Sequence, residues 1–167
     1  GSPRSGTRWI QAMVAAHPET VSTVELTMFP YYLSPWIKRW TKEKNNIDNG
    51  GAVKGLPHLL SREDFDELCG DLLEKSYCRL LERNPKANVI LEKTPENAFH
   101  VELINYFVPQ SKFIHIIRDG RDVACSMRNA ARKLGHQTES ISLAARTWRD
   151  YVYAARRASR FQGRYIE

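Results

Sequence analysis

The chain has 167 residues, which argues for one domain, and its 42% hydrophobic content is enough for a single core. The 26% charged content is that of an ordinary soluble protein, and the formal charge of +6 suits an anionic ligand without choosing among nucleotide, nucleic acid and acidic surface. No signal peptide and no apolar run long enough to span a bilayer is present in the sequence, no Cys/His spacing fits zinc, and no basic run is dense enough for a nucleic-acid tail. Cys69 and Cys78 fall in one predicted helix about 13 Å apart along its axis, too far to bridge. Three cysteines without a C-x-x-C pair favour a reduced, cytoplasmic setting, with a lumenal or membrane-anchored full-length form as the alternative.

Gly1-Ser2-Pro3-Arg4-Ser5-Gly6-Thr7-Arg8 is small and polar and runs into the helical pattern Trp9, Ile10, Met13, Val14. Glycine allows a tight turn, and a turn at a helix start aims unpaired N–H groups at one point, where an anion is favoured. Ser5 and Thr7 add hydroxyls and Arg4 a fixed cation, so the stretch reads as a phosphate-binding loop rather than an ordinary turn. Gly1 and Gly6 have the Walker spacing, but Thr7 stands where the phosphate-binding Lys belongs and Arg8 where the Mg²⁺ hydroxyl belongs. The parts needed for metal-bound γ-phosphate chemistry are therefore missing, and no metal is expected.

The first helix is expected over 7–16, closed by His17-Pro18. Thr20 to Val24 reads as a short buried strand with Glu25 at its end. A short helix around 34–43 and a mobile Asn/Gly-rich loop from Asn45 to Gly55 follow. The tyrosines, tryptophans and lysines of this segment fit either a substrate contact or a half-buried lid. Ser61 and Asp64 form a capping pair for a helix whose apolar positions are Phe65, Leu68, Leu72, Leu73, Tyr77, Leu80 and Leu81, closed by Asn84-Pro85.

Ala87 to Leu91 is a strand. After Glu92-Lys93, Thr94 is read as N-cap and Pro95 as first residue of a helix to about 107. Lys93 is either a site residue or half of a surface pair with Glu92. Lys112 to Ile117 is the strongest strand, Arg118 to Asp122 a turn, with Arg121 and Asp122 as a helix-start pair. Helices over 122–133, ended by Gly135, and over about 139–160 precede a last strand near Arg164. The long helix is expected to turn Leu143, Trp148, Val152, Ala155 and Ala158 inward. Alternation of strands and helices argues for an α/β fold with a mainly parallel sheet, in which ligands bind beyond the C-terminal strand ends. The phosphate loop, Glu25, Lys93 and Arg118 all fall just after a strand. Arg118 and Ser126, eight apart, offer a guanidinium and a hydroxyl to a second phosphate; a structural ion pair is the competing role for Arg118.

PRSGTRW and RDGRDVACS, in this order and each at a strand–helix junction, resemble the two nucleotide motifs of the sulfotransferases that use 3′-phosphoadenosine 5′-phosphosulfate (PAPS). The resemblance runs from the loop to the start of the last strand. Arg rather than Lys at position 4, and the segment SGTRWIQAMVAAHPE, resemble the tyrosylprotein sulfotransferases and their bacterial relatives. It implies a P-loop-like three-layer α/β/α fold with a central, mainly parallel sheet. It also implies one sulfotransferase-like domain over 1–167, expected to be cut at both ends. Pro3, Arg4, Ser5, Gly6, Thr7 and Arg8 would hold the 5′-phosphosulfate, and Arg118 and Ser126 the 3′-phosphate. Glu25 would be the general base, with Arg4 and Lys93 stabilising charge. The donor would be PAPS and the product PAP, without a metal. The acceptor is a hydroxyl of a carbohydrate, lipid, metabolite or tyrosine, and no nucleic-acid partner is expected. A P-loop kinase and a basic polyanion-binding module are the alternatives.

Overall fold

The computed structural model describes residues 1–134 and 140–167; the expected helix end at Gly135 and helix start at 139 lie outside them. Helix α1 spans Thr7–Ala15, strand β1 Thr20–Ser22, α2 Ser34–Asp48, α3 Arg62–Leu81, β2 Val89–Leu91, α4 Val101–Phe107, β3 Phe113–Ile114, α5 Gly120–Lys133, α6 Ile141–Arg156 and β4 Tyr165–Ile166. The architecture is α/β, and the strands pair in parallel. β1 lies beside β2 with Ser22 opposite Leu91, and β3 lies beside β4 with Ile114 opposite Ile166. Parallel pairing puts the residues that follow β1 and β2 at the same sheet edge.

Three strands are shorter than their apolar runs. Thr20 to Val24 pairs only through Ser22, Ala87 to Leu91 only from Val89, and the Lys112 to Ile117 run forms a two-residue ladder, extended by His115 N–H donating to Ile166 O at 2.8 Å. An apolar run marks where a strand can be buried, whereas its length is set by the partner opposite.

The main core gathers Phe29, Leu33, Trp40, Phe65, Cys69, Leu73 and Ile104. A π-helical turn, Met28–Leu33, leads directly into α2 and carries two of these side chains. Trp40 is buried against Phe65, ring centroids 5.9 Å apart, and α2 runs to Asp48, beyond the expected 43 and into the Asn-rich stretch, where Lys44 pairs with Asp48 one turn on. Trp40 therefore belongs to the core, while Tyr31, Tyr32 and Trp36 stay exposed.

The Ser61 capping box forms as expected, with Asp64 N–H donating to Ser61 Oγ and Ser61 N–H to Asp64 Oδ2, each at 3.0 Å. Leu68, expected on the apolar face, is exposed, and Cys69 takes the buried place. A second cluster of Val123, Ala124, Met127 and Ala144 joins α5 to α6. On α6 Val152 and Ala155 are buried as expected and Leu143 is exposed; Ala158, also buried, lies in a 3₁₀ turn, Arg157–Arg160, that takes the place of the expected helix end. A third cluster, Ala98, Tyr151 and Ala155, ties α6 to a 3₁₀ turn, Pro95–His100, that replaces the first half of the expected 95–107 helix. All three cysteines are free. Among the described residues no helix is long and apolar enough to cross a membrane.

Candidate active site

The loop before α1 is folded tightly on itself. Ser5 N–H donates to Ser2 O at 3.2 Å, and Gly6, at φ +93°, caps α1 through its carbonyl, which accepts from Trp9 and Ile10. Only glycine takes that conformation without cost. Arg4 takes a left-handed conformation too, φ +68°, although it carries a side chain. Such geometry is uncommon outside glycine and persists where the surroundings enforce it. Ser5 is buried, and its Oγ has no hydrogen-bond partner. A buried, unpaired hydroxyl is costly, so a loop that keeps one is fitted to an incoming acceptor such as a phosphate oxygen.

Arg4 Nε donates to Ser126 Oγ at 3.1 Å. This contact joins the two sequence motifs across 122 residues. Arg4, Arg118, Ser126, Asn129 and Lys133 line one cleft of about 590 Å³. Ser126, Asn129 and Lys133 are spaced i, i+3, i+7 on α5 and so share a face. Asn129 and Lys133 were not singled out from the sequence, though that spacing from Ser126 would have found them. Arg118 is set by its backbone, whose carbonyl accepts from Trp148 Nε1 at 3.1 Å. Gly120 is what lets Trp148 come so close, since a Cβ there would lie 2.8 Å from the indole ring.

The side chain of Arg118 meets Asp122, in the first turn of α5, at 3.3 Å. Arg121 is not paired with Asp122 as expected. It donates to Asp119, the α5 N-cap, and this hydrogen bonding holds the Asp119 carboxyl down at about 2.

The second group lies beyond the β1–β2 edge. Lys93 Nζ donates to Glu25 Oε1, so Lys93 pairs with the residue across the sheet edge and not with its neighbour Glu92. Lys93 is largely buried and Glu25 half-exposed. Glu92 turns inward, where it accepts from Thr94 Oγ1 at 2.6 Å and from Asn97 Nδ2. Thr94 consequently does not cap the following turn; its Oγ1 accepts instead from Thr27 N–H at 3.3 Å.

α1 bridges the two groups. Gln11 Nε2 donates to Ser22 Oγ at 2.8 Å and to Thr23 O at 2.7 Å at the end of β1. The structure thus brings Arg4, Arg118 and Ser126 together in the cleft, and Glu25 and Lys93 together at the sheet edge. Pro3, Gly6 and Thr7 are half-buried in the loop, and Arg8 is exposed. Among the described residues no group of three or more His, Cys, Asp or Glu could hold a metal ion.

A Caenorhabditis briggsae protein provisionally named protein-tyrosine sulfotransferase is 30% identical over 127 residues, which is 76% of this chain and 40% of that protein. Protein-tyrosine sulfotransferase 1 of Danio rerio is 28% identical over 131 residues, and that of Homo sapiens 27% over 131 residues. Each match covers 76% of this chain and 33% and 32%, respectively, of the relative. The chain spans well under half the length of these relatives. The family model described as "Sulfotransferase family" matches residues 1–167, the two motifs and every strand included, and on that match the chain belongs to the sulfotransferase family.

Proposed function

We propose that this chain transfers a sulfuryl group from PAPS to an acceptor hydroxyl. The observation that carries the reading is the Arg4–Ser126 contact, which unites two motifs distant in sequence in one cleft with Arg118. Family membership and the unpaired Ser5 hydroxyl support the same reading. The three-layer α/β/α arrangement and the single-domain organisation are part of it.

Bound here, PAPS supplies an activated sulfuryl group whose leaving partner is the 5′-phosphate of PAP. The N–H groups of Gly6, Thr7 and Arg8, with the Ser5 and Thr7 hydroxyls and the turn at Pro3, would hold the 5′ end. Arg118 and Ser126 would hold the 3′-phosphate. Arg4 and Lys93 would neutralise charge on the sulfuryl oxygens and the leaving phosphate. Glu25 would accept the proton that the acceptor hydroxyl loses as it attacks. Positioning and charge stabilisation dominate this chemistry, as in phosphoryl transfer. With Thr7 and Arg8 in the two Walker positions, the residues are not those that bind a Mg²⁺-bound γ-phosphate. The acceptor is a hydroxyl of a carbohydrate, lipid, metabolite or tyrosine, and the names of the relatives favour tyrosine.

Transfer from labelled PAPS to a panel of these acceptors by the full-length protein is the test. Glu25→Gln should lower turnover at least ~100-fold, the low end of what general-base catalysis contributes, while PAP affinity is retained. Full activity of this variant would remove the base assignment.

A further inference from the structure

We propose that Glu92 is a positioning residue for the Glu25–Lys93 pair, its carboxylate tying the loop after β2 to the loop after β1 through the Thr94 hydroxyl. The inference rests on the reading of Glu25 and Lys93 as the reacting pair.

Glu92 is the first residue after β2 and directly precedes Lys93. Its carboxylate accepts from Thr94 Oγ1 at 2.6 Å and from Asn97 Nδ2, and the backbone N–H of Leu26 also favours its charged form. Leu26 directly follows Glu25. Thr94, almost fully buried, passes the connection one residue further, because its Oγ1 donates to Glu92 and accepts from Thr27 N–H. The carboxylate thus orients the Thr94 hydroxyl, and that hydroxyl holds the Thr27 N–H, two residues after Glu25.

Thr27 shows why such a clamp is needed. It sits at φ +53°, a left-handed conformation that β-branched residues rarely adopt, and its hydroxyl turns back on the carbonyl of Leu26 at 2.7 Å. A conformation of that kind is strained and holds only where the surroundings enforce it. Here it turns the chain sharply between Glu25 and the buried side chains of Met28 and Phe29. Without the clamp the loop has every reason to relax, and Glu25 would move relative to Lys93.

Glu92 is also held at a cost. Burial raises its carboxyl above the usual range, against the donors from Thr94, Leu26 and Asn97 and the charge of Lys93. On the other side Tyr77 of α3 faces it, and its phenol is raised by burial and by the Glu92 charge. A merely structural position would be served by an apolar side chain of similar volume. A carboxylate at this place does what an apolar group cannot, which is to fix Asn97 and the Thr94 hydroxyl, and through that hydroxyl the Thr27 N–H of the other loop.

The test compares Glu92→Ala, Glu92→Gln and Glu25→Gln in the full-length protein, reading kcat separately from PAP affinity. A misplacement of about 1 Å costs on the order of 100-fold in rate. Glu92→Ala should therefore lose about 100-fold in kcat with PAP affinity within about twofold of wild type. Glu92→Gln, which keeps the shape and one acceptor oxygen, should recover about tenfold of that loss. Wild-type kcat in Glu92→Ala beside an inactive Glu25→Gln would overturn the inference and leave the Glu25 reading intact. An active Glu25→Gln would overturn both. Should Glu92→Ala not fold, Thr94→Val carries the test: a tenfold loss of kcat at unchanged PAP affinity supports the clamp, and wild-type kcat refutes it.

Discussion

Arg118 shows how one side chain can be held in place and still be available to a ligand. Its partner Asp122 is one helical turn away, and both side chains are about half-exposed. An exposed pair of this kind is worth little. A phosphate offers the same guanidinium two oxygens and more charge, and so displaces the carboxylate. Arg118→Ala should therefore weaken PAP binding at least ~10-fold, the worth of one charge-assisted hydrogen bond, while leaving adenosine 5′-phosphate within about twofold. Equal losses for both nucleotides would remove Arg118 from the 3′-phosphate. The Arg118–Ser126 spacing was legible in the sequence because it repeats a motif. The orientation of Glu92 was not, since adjacency suggested an ion pair with Lys93. Neighbours in an extended segment point to opposite sides, and that sends Lys93 to Glu25 and Glu92 inward.

Among the elements, helices with a local start signal were the most legible. Ser61 and Asp64 close their box within four residues, and no distant partner is involved. Ser61→Ala should accordingly lower the unfolding free energy by about 1 kcal/mol, the usual worth of such a cap, with the denaturant slope unchanged; no change in midpoint would mean that α3 is held by its buried face alone. Thr94 gave a similar local signal and does stand at the N-cap position before Pro95, but its side chain makes no cap bond, because Glu92 and Thr27 take its hydroxyl. Strand lengths were the least legible, since each depends on a partner 50 or more residues away, as Phe113 does on Tyr165. The extension of α2 to Asp48 carries contacts that its Asn-rich composition did not announce, Lys44 with Asp48 and Asn49 Nδ2 donating to Asn45 O.

On the scale of the whole molecule, each core cluster supports one part of the site. The cluster of Phe29, Leu33 and Trp40 anchors the chain just after Glu25. Packing of α5 on α6 fixes Ser126 and, through Trp148, the backbone of Arg118. The Ala98–Tyr151–Ala155 cluster seats the turn that follows Lys93. α/β class and parallel pairing followed from the order of elements, but the division into a Glu25–Lys93 edge and an Arg4–Arg118–Ser126 cleft could not, because it arises from side-chain contacts between segments up to 122 residues apart.

The central claim is that the cleft receives a 3′-phosphorylated adenosine nucleotide. Calorimetric titration of the full-length protein with PAP, adenosine 5′-phosphate and ATP, each with and without Mg²⁺, tests it most directly. The account predicts metal-independent binding of PAP, at least ~10-fold tighter than adenosine 5′-phosphate, as one charge-assisted phosphate contact requires. Binding of ATP only in the presence of Mg²⁺, or equal affinity for nucleotides with and without the 3′-phosphate, would contradict it.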